Sequence, residues 1–150
     1  MSGTQGGVHQ GRTGRAVAAW ESMFRAHVSV MRWLEATGSF GTLTSREYDV
    51  LVQLAKAPAE GVRQWQLAEV VMLPQPSLSR MLDRLEKRGL VCRIHPDDAP
   101  RTLLFALTDD GRVAQRIAGR AHVRALREAL SVFTDEELDQ LTELARRLHH

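Results

Sequence analysis

Ser77, Ser79, Arg80 and Arg84 crowd into one short stretch whose apolar residues, Leu78, Met81, Leu82 and Leu85, recur at helical spacing. On such a helix the apolar set faces inward, while Ser77, Arg80, Asp83, Arg84 and Lys87 face outward. Short hydroxyls and forked guanidinium groups on one exposed face suit a particular chemistry. They can hydrogen-bond base edges and phosphates without desolvating anything apolar. Taken alone, the same row also describes an ordinary solvated helix face, so the surrounding elements must decide.

Other chemistries find no residues to carry them. There is no nucleophile beside a base, no carboxylate pair for acid–base work and no phosphate-cradling glycine loop ahead of a helix. Asp97-Asp98 and Asp109-Asp110 are explained as loop and helix-start acids. The six histidines lack metal-ligand spacing, and a lone cysteine, Cys92, can build neither an intramolecular disulfide nor, by itself, a thiolate metal site. Cys92 reads as an inert thiol in a short strand. The expectation is a protein that is not an enzyme and needs no cofactor.

At 150 residues, 43% hydrophobic and 25% charged, the chain has the size and composition of one globular domain. No run of about 18 apolar residues could span a bilayer, and the N-terminus lacks an export signal, so a cytoplasmic location away from membranes is expected. A net charge of +2 says little about partners. Its distribution says more: residues 61–105 carry seven basic and five acidic groups, whereas residues 106–150 carry seven and eight.

The first fourteen residues, rich in Gly, Ser, Thr and Gln, read as a flexible tail. Helical periodicity then runs from Arg15 through Val17, Trp20, Phe24, His27 or Val28, Met31 and Leu34, until Thr37-Gly38-Ser39 ends it. Thr44 and Glu47 form a capping box, and Leu43 and Tyr48 a hydrophobic staple, for a helix from Ser45 to about Lys56 with Tyr48, Leu51, Val52 and Ala55 inward. A short helix over about 64–71 precedes the Ser/Arg helix, which Gly89 stops. Residues 90–94 and 103–107 read as a hairpin with a long polar tip. Thr108 caps the next helix, whose buried side is expected at Val113, Ile117, Ala121, Leu126 and Leu130. Thr134 and Glu137, with Phe133 and Leu138, open the last, with Leu138, Leu141, Leu144 or Ala145, and Leu148 inward.

The order α-α-α-α-β-β-α-α is mainly α with a small β-hairpin, and a helix pair followed by a hairpin is the layout of a winged helix-turn-helix. The run from Leu67 to Arg93, LAEVVMLPQPSLSRMLDRLEKRGLVCR, the wing end RTLLFALT and the following Gly111 resemble the MarR family of bacterial transcriptional regulators. That resemblance covers about residues 15–148. It implies a winged helix-turn-helix over about 44–108 and a helical dimerisation region from about 15–37 and 109–148. It also implies a repressor that binds a pseudopalindromic operator in double-stranded DNA as a homodimer. By the same resemblance Gln75, Ser77, Ser79 and Arg80 lie at the groove-entering end of the recognition helix, Arg84 and Lys87 meet phosphates further along, and Arg101 is the wing arginine.

Many members of the family answer to a small phenolic or aromatic carboxylate effector. Trp20, Phe24, His27 and Met31 on the first helix, with Arg46 and Tyr48 on the second, could form its slot. Core or dimer packing accounts for Trp20, Phe24 and Met31 more simply, and a satisfied buried imidazole or an exposed edge does so for His27. Some positions depart from the family pattern. Met72 replaces a small turn residue and Arg63 a helix cap. Pro74 replaces a capping Ser, leaving Gln75 to cap and Pro76 to open the recognition helix. Ala99 stands where the wing usually has Asp. These departures keep a second reading open, a winged-helix protein-interaction dimer without sequence-specific DNA binding.

Overall fold

The computed structural model describes residues 6–148. The first helix, α1, spans Gly6–Ala36 and so begins nine positions before the expected Arg15. Residues 6–14 of the predicted tail therefore extend α1, and residues 1–5 lie outside the described residues. Lengthening an existing helix incurs no new nucleation cost, which lets a stretch of poor intrinsic propensity follow its neighbour.

Helix α2 occupies Ser45–Lys56 with the expected box: Thr44 Oγ1 accepts from the Glu47 amide at 3.1 Å and the Glu47 carboxylate from the Thr44 amide at 3.0 Å. Glu47 also holds Arg88 at 3.1 Å, and Arg88 reaches the Thr42 carbonyl at 3.2 Å. One buried carboxylate thus ties the start of α2 to the far end of the Ser/Arg helix. Leu51 lies on the expected inner face, but Val50 and Leu54 are buried more completely than Tyr48, Val52 and Ala55. The whole turn of α2 is wrapped by other elements.

Helix α3 spans Gln64–Val71, and the recognition-type helix α4 spans Gln75–Lys87. The cap of α4 is Pro74 rather than Gln75, so Pro76 falls one position later than expected. Proline is tolerated there because first-turn amides have no partner within the helix. At the other end Gly89, at φ 73°, closes α4: its amide meets the Glu86 carbonyl at 2.8 Å and the Leu90 amide meets the Leu85 carbonyl at 3.0 Å. This is the Schellman arrangement, and it turns the chain directly into the hairpin.

Between α3 and α4, Met72 adopts the left-handed conformation at φ 53° with its side chain 85% exposed. A side chain there costs roughly 1–2 kcal/mol, and this one packs against little. Met72→Gly is expected to stabilise the fold by about 0.5–1 kcal/mol, after allowing for the freer unfolded chain. A urea midpoint that stays put or falls would contradict that.

The wing pairs β1 (Val91–Ile94) antiparallel with β2 (Leu104–Leu107), Val91 opposite Leu107 and Ile94 opposite Leu104. An isolated bridge from Val62 to Phe105 anchors the hairpin to the segment before α3. Phe105, Leu51, Leu67, Leu78, Leu82 and Leu85 fill the centre of the winged region.

Helix α5 spans Asp109–Ala129, capped as expected by Thr108 through the Gly111 amide at 2.9 Å. Its buried side is only partly the expected one: Leu126 packs against the core and Ala121 and Leu130 are half-buried. Gly111, Ala118 and Ala125 face the core, whereas Val113 and Ile117 are 45% and 61% exposed. Small residues let α5 approach α1 and α2 closely, so size rather than hydrophobicity selects the inner face. Helix α6 (Asp135–Arg146) has the expected capping box and no buried residue, and Leu141, Leu144 and Leu148 stand open instead of facing inward. No helix among the described residues is long and apolar enough to cross a membrane.

Candidate nucleic-acid interface

The inner face of α4 is closed by Leu78, Met81, Leu82 and Leu85, which leaves its other face to solvent. Gln75, Arg80, Arg84 and Lys87 are exposed and Ser77 and Ser79 half-buried. Among the described residues no ion pair engages Arg80, Arg84 or Lys87, so their charges are available to a partner. Arg93 differs: it pairs with Asp83, with Glu86 at 3.3 Å, and lies over the Phe105 ring at 5.7 Å. It braces the wing against α4.

Arg101 is exposed at the wing tip, within a turn where the Thr102 amide meets the Ala99 carbonyl at 2.8 Å and His95 Nδ1 lies 3.1 Å from the Thr102 carbonyl. Ala99 thus takes a structural place in the turn through its main chain. A long tip carrying a guanidinium with no ion-pair partner among the described residues is a shape that can follow a minor groove while a helix occupies the adjacent major groove.

Two features of the surface were not anticipated. Gln64, the first residue of α3, donates from Nε2 to the main chain and side chain of Gln75, at 3.2 and 3.0 Å. On α5, Arg112, Arg116, Arg120, Arg124 and Arg127 follow one another with no acid between them. Arg116, Arg120, Arg124 and Arg127 line an open cavity of about 610 Å³ with Gln115, Gly119 and Val123. The segment sum of charge hid this row, because the acids of residues 106–150 sit at the start of α5, at its last turn and on α6.

The six residues expected to line an effector slot are distributed unevenly. Trp20 and Phe24 stack on each other at 6.4 Å and are 64% and 56% exposed. His27 and Arg46 are exposed, and Met31 is half-buried against the core. Tyr48 belongs to a cluster with Phe40 at 5.5 Å and His122 at 5.2 Å, and His122 in turn stacks on Phe40 at 4.9 Å. Burial pushes the Tyr48 hydroxyl up, helped by the charge of Asp49. Cys92 is half-buried, its thiol 3.7 Å from the Ala106 carbonyl. No group of three or more metal-binding side chains occurs among the described residues.

Burial lowers the His122 pKa below its ordinary 6.5, and its Nδ1 is buried without a hydrogen-bond partner among the described residues. The folded chain therefore takes up this proton less readily than the unfolded chain. The corresponding stability is complete above pH 6.5 and is lost as the pH falls below it. His122→Phe keeps the ring stack and removes the proton site. Between about pH 7.5 and about pH 5.5 its melting temperature is expected to fall less than that of the unsubstituted protein; parallel decreases would contradict the assignment.

A helix pair presenting a cation-rich outer face, flanked by a hairpin with a free arginine at its tip, defines a winged helix-turn-helix protein of the DNA-binding class. The MarR family matches residues 43–101. An uncharacterized HTH-type transcriptional regulator of Bacillus cereus is 34% identical over 115 residues, covering 71% of this chain and 70% of that protein. The homoprotocatechuate degradative operon repressor of Escherichia coli is 28% identical over 82% of each chain. Among solved structures, Sco3205, a MarR family transcriptional regulator from Streptomyces coelicolor in complex with DNA, has a TM-score of 0.78 at 28% identity, covering 90% of this chain and 86% of that one. The chain belongs to the MarR family of transcriptional regulators.

Proposed function

We propose that the protein is a homodimeric repressor that reads a pseudopalindromic operator with two α4 helices and two wings. The observation that carries this reading is the outer face of α4. Arg80, Arg84 and Lys87 stand there without ion-pair partners among the described residues, above a fully buried Leu78, Leu82 and Leu85. Gln75, Ser77, Ser79 and Arg80 contact base edges, Arg84 and Lys87 neutralise phosphates, and Arg101 enters the minor groove. Such a protein works in the cytoplasm, where its DNA is.

Dimerisation is supported by what one chain leaves uncovered: Val17, Trp20 and Phe24 on α1, Leu141 and Leu144 on α6 and Leu148 just after it are each 47% exposed or more. Large apolar side chains spread over two helices are characteristic of a surface that a second copy covers. Sedimentation at micromolar concentration is expected to give a dimer, and a monomer would count against it.

The effector is a small aromatic carboxylate, held near Tyr48, Met31 and Arg46 and closed over by Trp20, Phe24 and His27. The homoprotocatechuate operon repressor among the relatives supports this class, as does the apolar and cationic mix of the side chains.

Selection of bound fragments from sheared DNA of the source genome by the purified protein tests the whole reading. Enrichment of a pseudopalindrome with half-sites about 10 bp apart is expected. Absence of any enrichment would favour the protein-interaction dimer instead.

A further inference from the structure

The N-termini of α3 and α4 meet through one side-chain pair. Gln64 Nε2 lies 3.2 Å from the Gln75 main-chain carbonyl and 3.0 Å from Gln75 Oε1. A main-chain carbonyl can only accept, so the Gln64 atom between them must be the NH2 group, and the Gln75 atom facing it must then be the carbonyl oxygen. The two N–H bonds of the Gln75 amide keep no partner among the described residues, and Gln75 is exposed.

A free glutamine pairs with adenine at both ends of its amide, donating to N7 and accepting from N6. In this protein Gln64 already uses one of the two lone pairs of the accepting end, and that bond polarises the amide so that its two free N–H groups donate more strongly. Guanine presents two acceptors in the major groove, N7 and O6, whereas adenine presents one acceptor beside a donor. The held amide therefore suits guanine better.

We propose that Gln64 is a positioning residue for base reading: by holding the Gln75 carboxamide with its N–H groups outward, it sets a preference for guanine over adenine at the base pair beneath Gln75. This rests on the DNA-reading function above and adds a residue that itself touches no base.

The test uses the full-length protein and the operator found by selection, with each base pair of one half-site substituted in turn and affinities compared by competition gel shift. The unsubstituted protein is expected to prefer guanine over adenine roughly two- to ten-fold at one position, the range of a single hydrogen bond. Gln75→Ala should level that position and no other. Gln64→Ala frees both ends of the amide and should move the same position towards adenine. Gln64→Glu offers Gln75 only acceptors, which turns its amide over, and should favour an edge bearing a donor. The added carboxylate repels phosphates equally in every sequence, so ratios between sequences remain valid. Circular dichroism melts establish that each variant folds.

Unchanged base profiles in both Gln64 variants, with the position levelled in Gln75→Ala, would overturn the positioning role alone. So would a sequence-selective protein in which Gln75→Ala levels nothing. An unsubstituted protein with no sequence preference at all would overturn the proposed function and this inference with it.

Discussion

Gly111→Ala is expected to destabilise the fold by about 3–4 kcal/mol, a large share of the stability of a small protein. The methyl group would land on the Leu90 carbonyl oxygen, far inside van der Waals contact, and would also crowd the Leu107 side chain. Leu90 cannot step aside freely, because its carbonyl accepts from the Thr108 amide at 3.2 Å and its amide closes α4. Thr108 is fixed as well, with its hydroxyl bonded to the Gly89 carbonyl at 2.6 Å and to the Gly111 amide at 2.9 Å. The junction of α4, the wing and α5 is thus a closed ring of main-chain contacts with room for hydrogen only at Gly111.

Gly119→Ala, in the same helix, provides the contrast. An added methyl there comes no nearer than 3.5 Å, to the Tyr48 hydroxyl. The usual gain of alanine over glycine inside a helix should then appear, about 0.5–1 kcal/mol of added stability. Urea unfolding of the two variants should give midpoints displaced in opposite directions. If both alanines shift the midpoint alike, close packing at Gly111 is not what holds the junction.

Arg80→Ala is expected to have the largest effect on DNA. Arg80 is exposed near the start of α4 without an ion-pair partner among the described residues. Loss of a guanidinium that grips a guanine edge costs about 1–3 kcal/mol against the operator and little against random DNA, so the preference between them collapses. Lys87, two turns further along, meets phosphate. Lys87→Ala should weaken all sequences alike and reduce the slope of log affinity against log salt by about one counterion. Gel shifts of both variants on operator and random DNA across a salt series check this, and identical behaviour would remove the distinction between a base-reading and a phosphate-binding residue.

Most helix ends were legible because they are written in local chemistry. The Thr44–Glu47 and Thr134–Glu137 boxes and the Gly89 stop are each complete within a few residues, and the structure has all three. Which side of a helix is buried was legible only where a single apolar stripe exists. On α4 the choice is unambiguous, whereas α5 carries one stripe of small residues and another of larger apolar ones, and periodicity alone favours the larger ones. The chain buries Ala118 and Ala125 and leaves Val113 and Ile117 exposed. Periodicity ranks residues by hydrophobicity; it cannot weigh the close approach that small side chains permit. On α6 the leucine spacing was correct for one apolar face, but a sequence does not say whether that face meets its own chain.

The candidate interface divides along the same line. The α4 row follows from one helix period and was visible in the sequence. Gln64 was invisible, because its meaning depends on α3 and α4 meeting at their N-termini, eleven positions apart in the chain. The arginine row of α5 was visible residue by residue, yet a charge sum over 106–150 cancelled it against acids located elsewhere. Like charges one helical turn apart weaken an isolated helix by about 0.2–0.5 kcal/mol per pair, so the row marks a face whose sequence was not set by helix stability alone.

In the proposed complex two α4 helices, related by a two-fold axis, occupy successive major grooves on one side of the DNA. Titrating the protein against the selected operator and against a version with about 5 bp inserted between the half-sites tests it most directly, since half a helical turn moves the second site to the opposite side. The insertion is expected to weaken binding as much as deleting one half-site does. Equal affinity for the two spacings would contradict it.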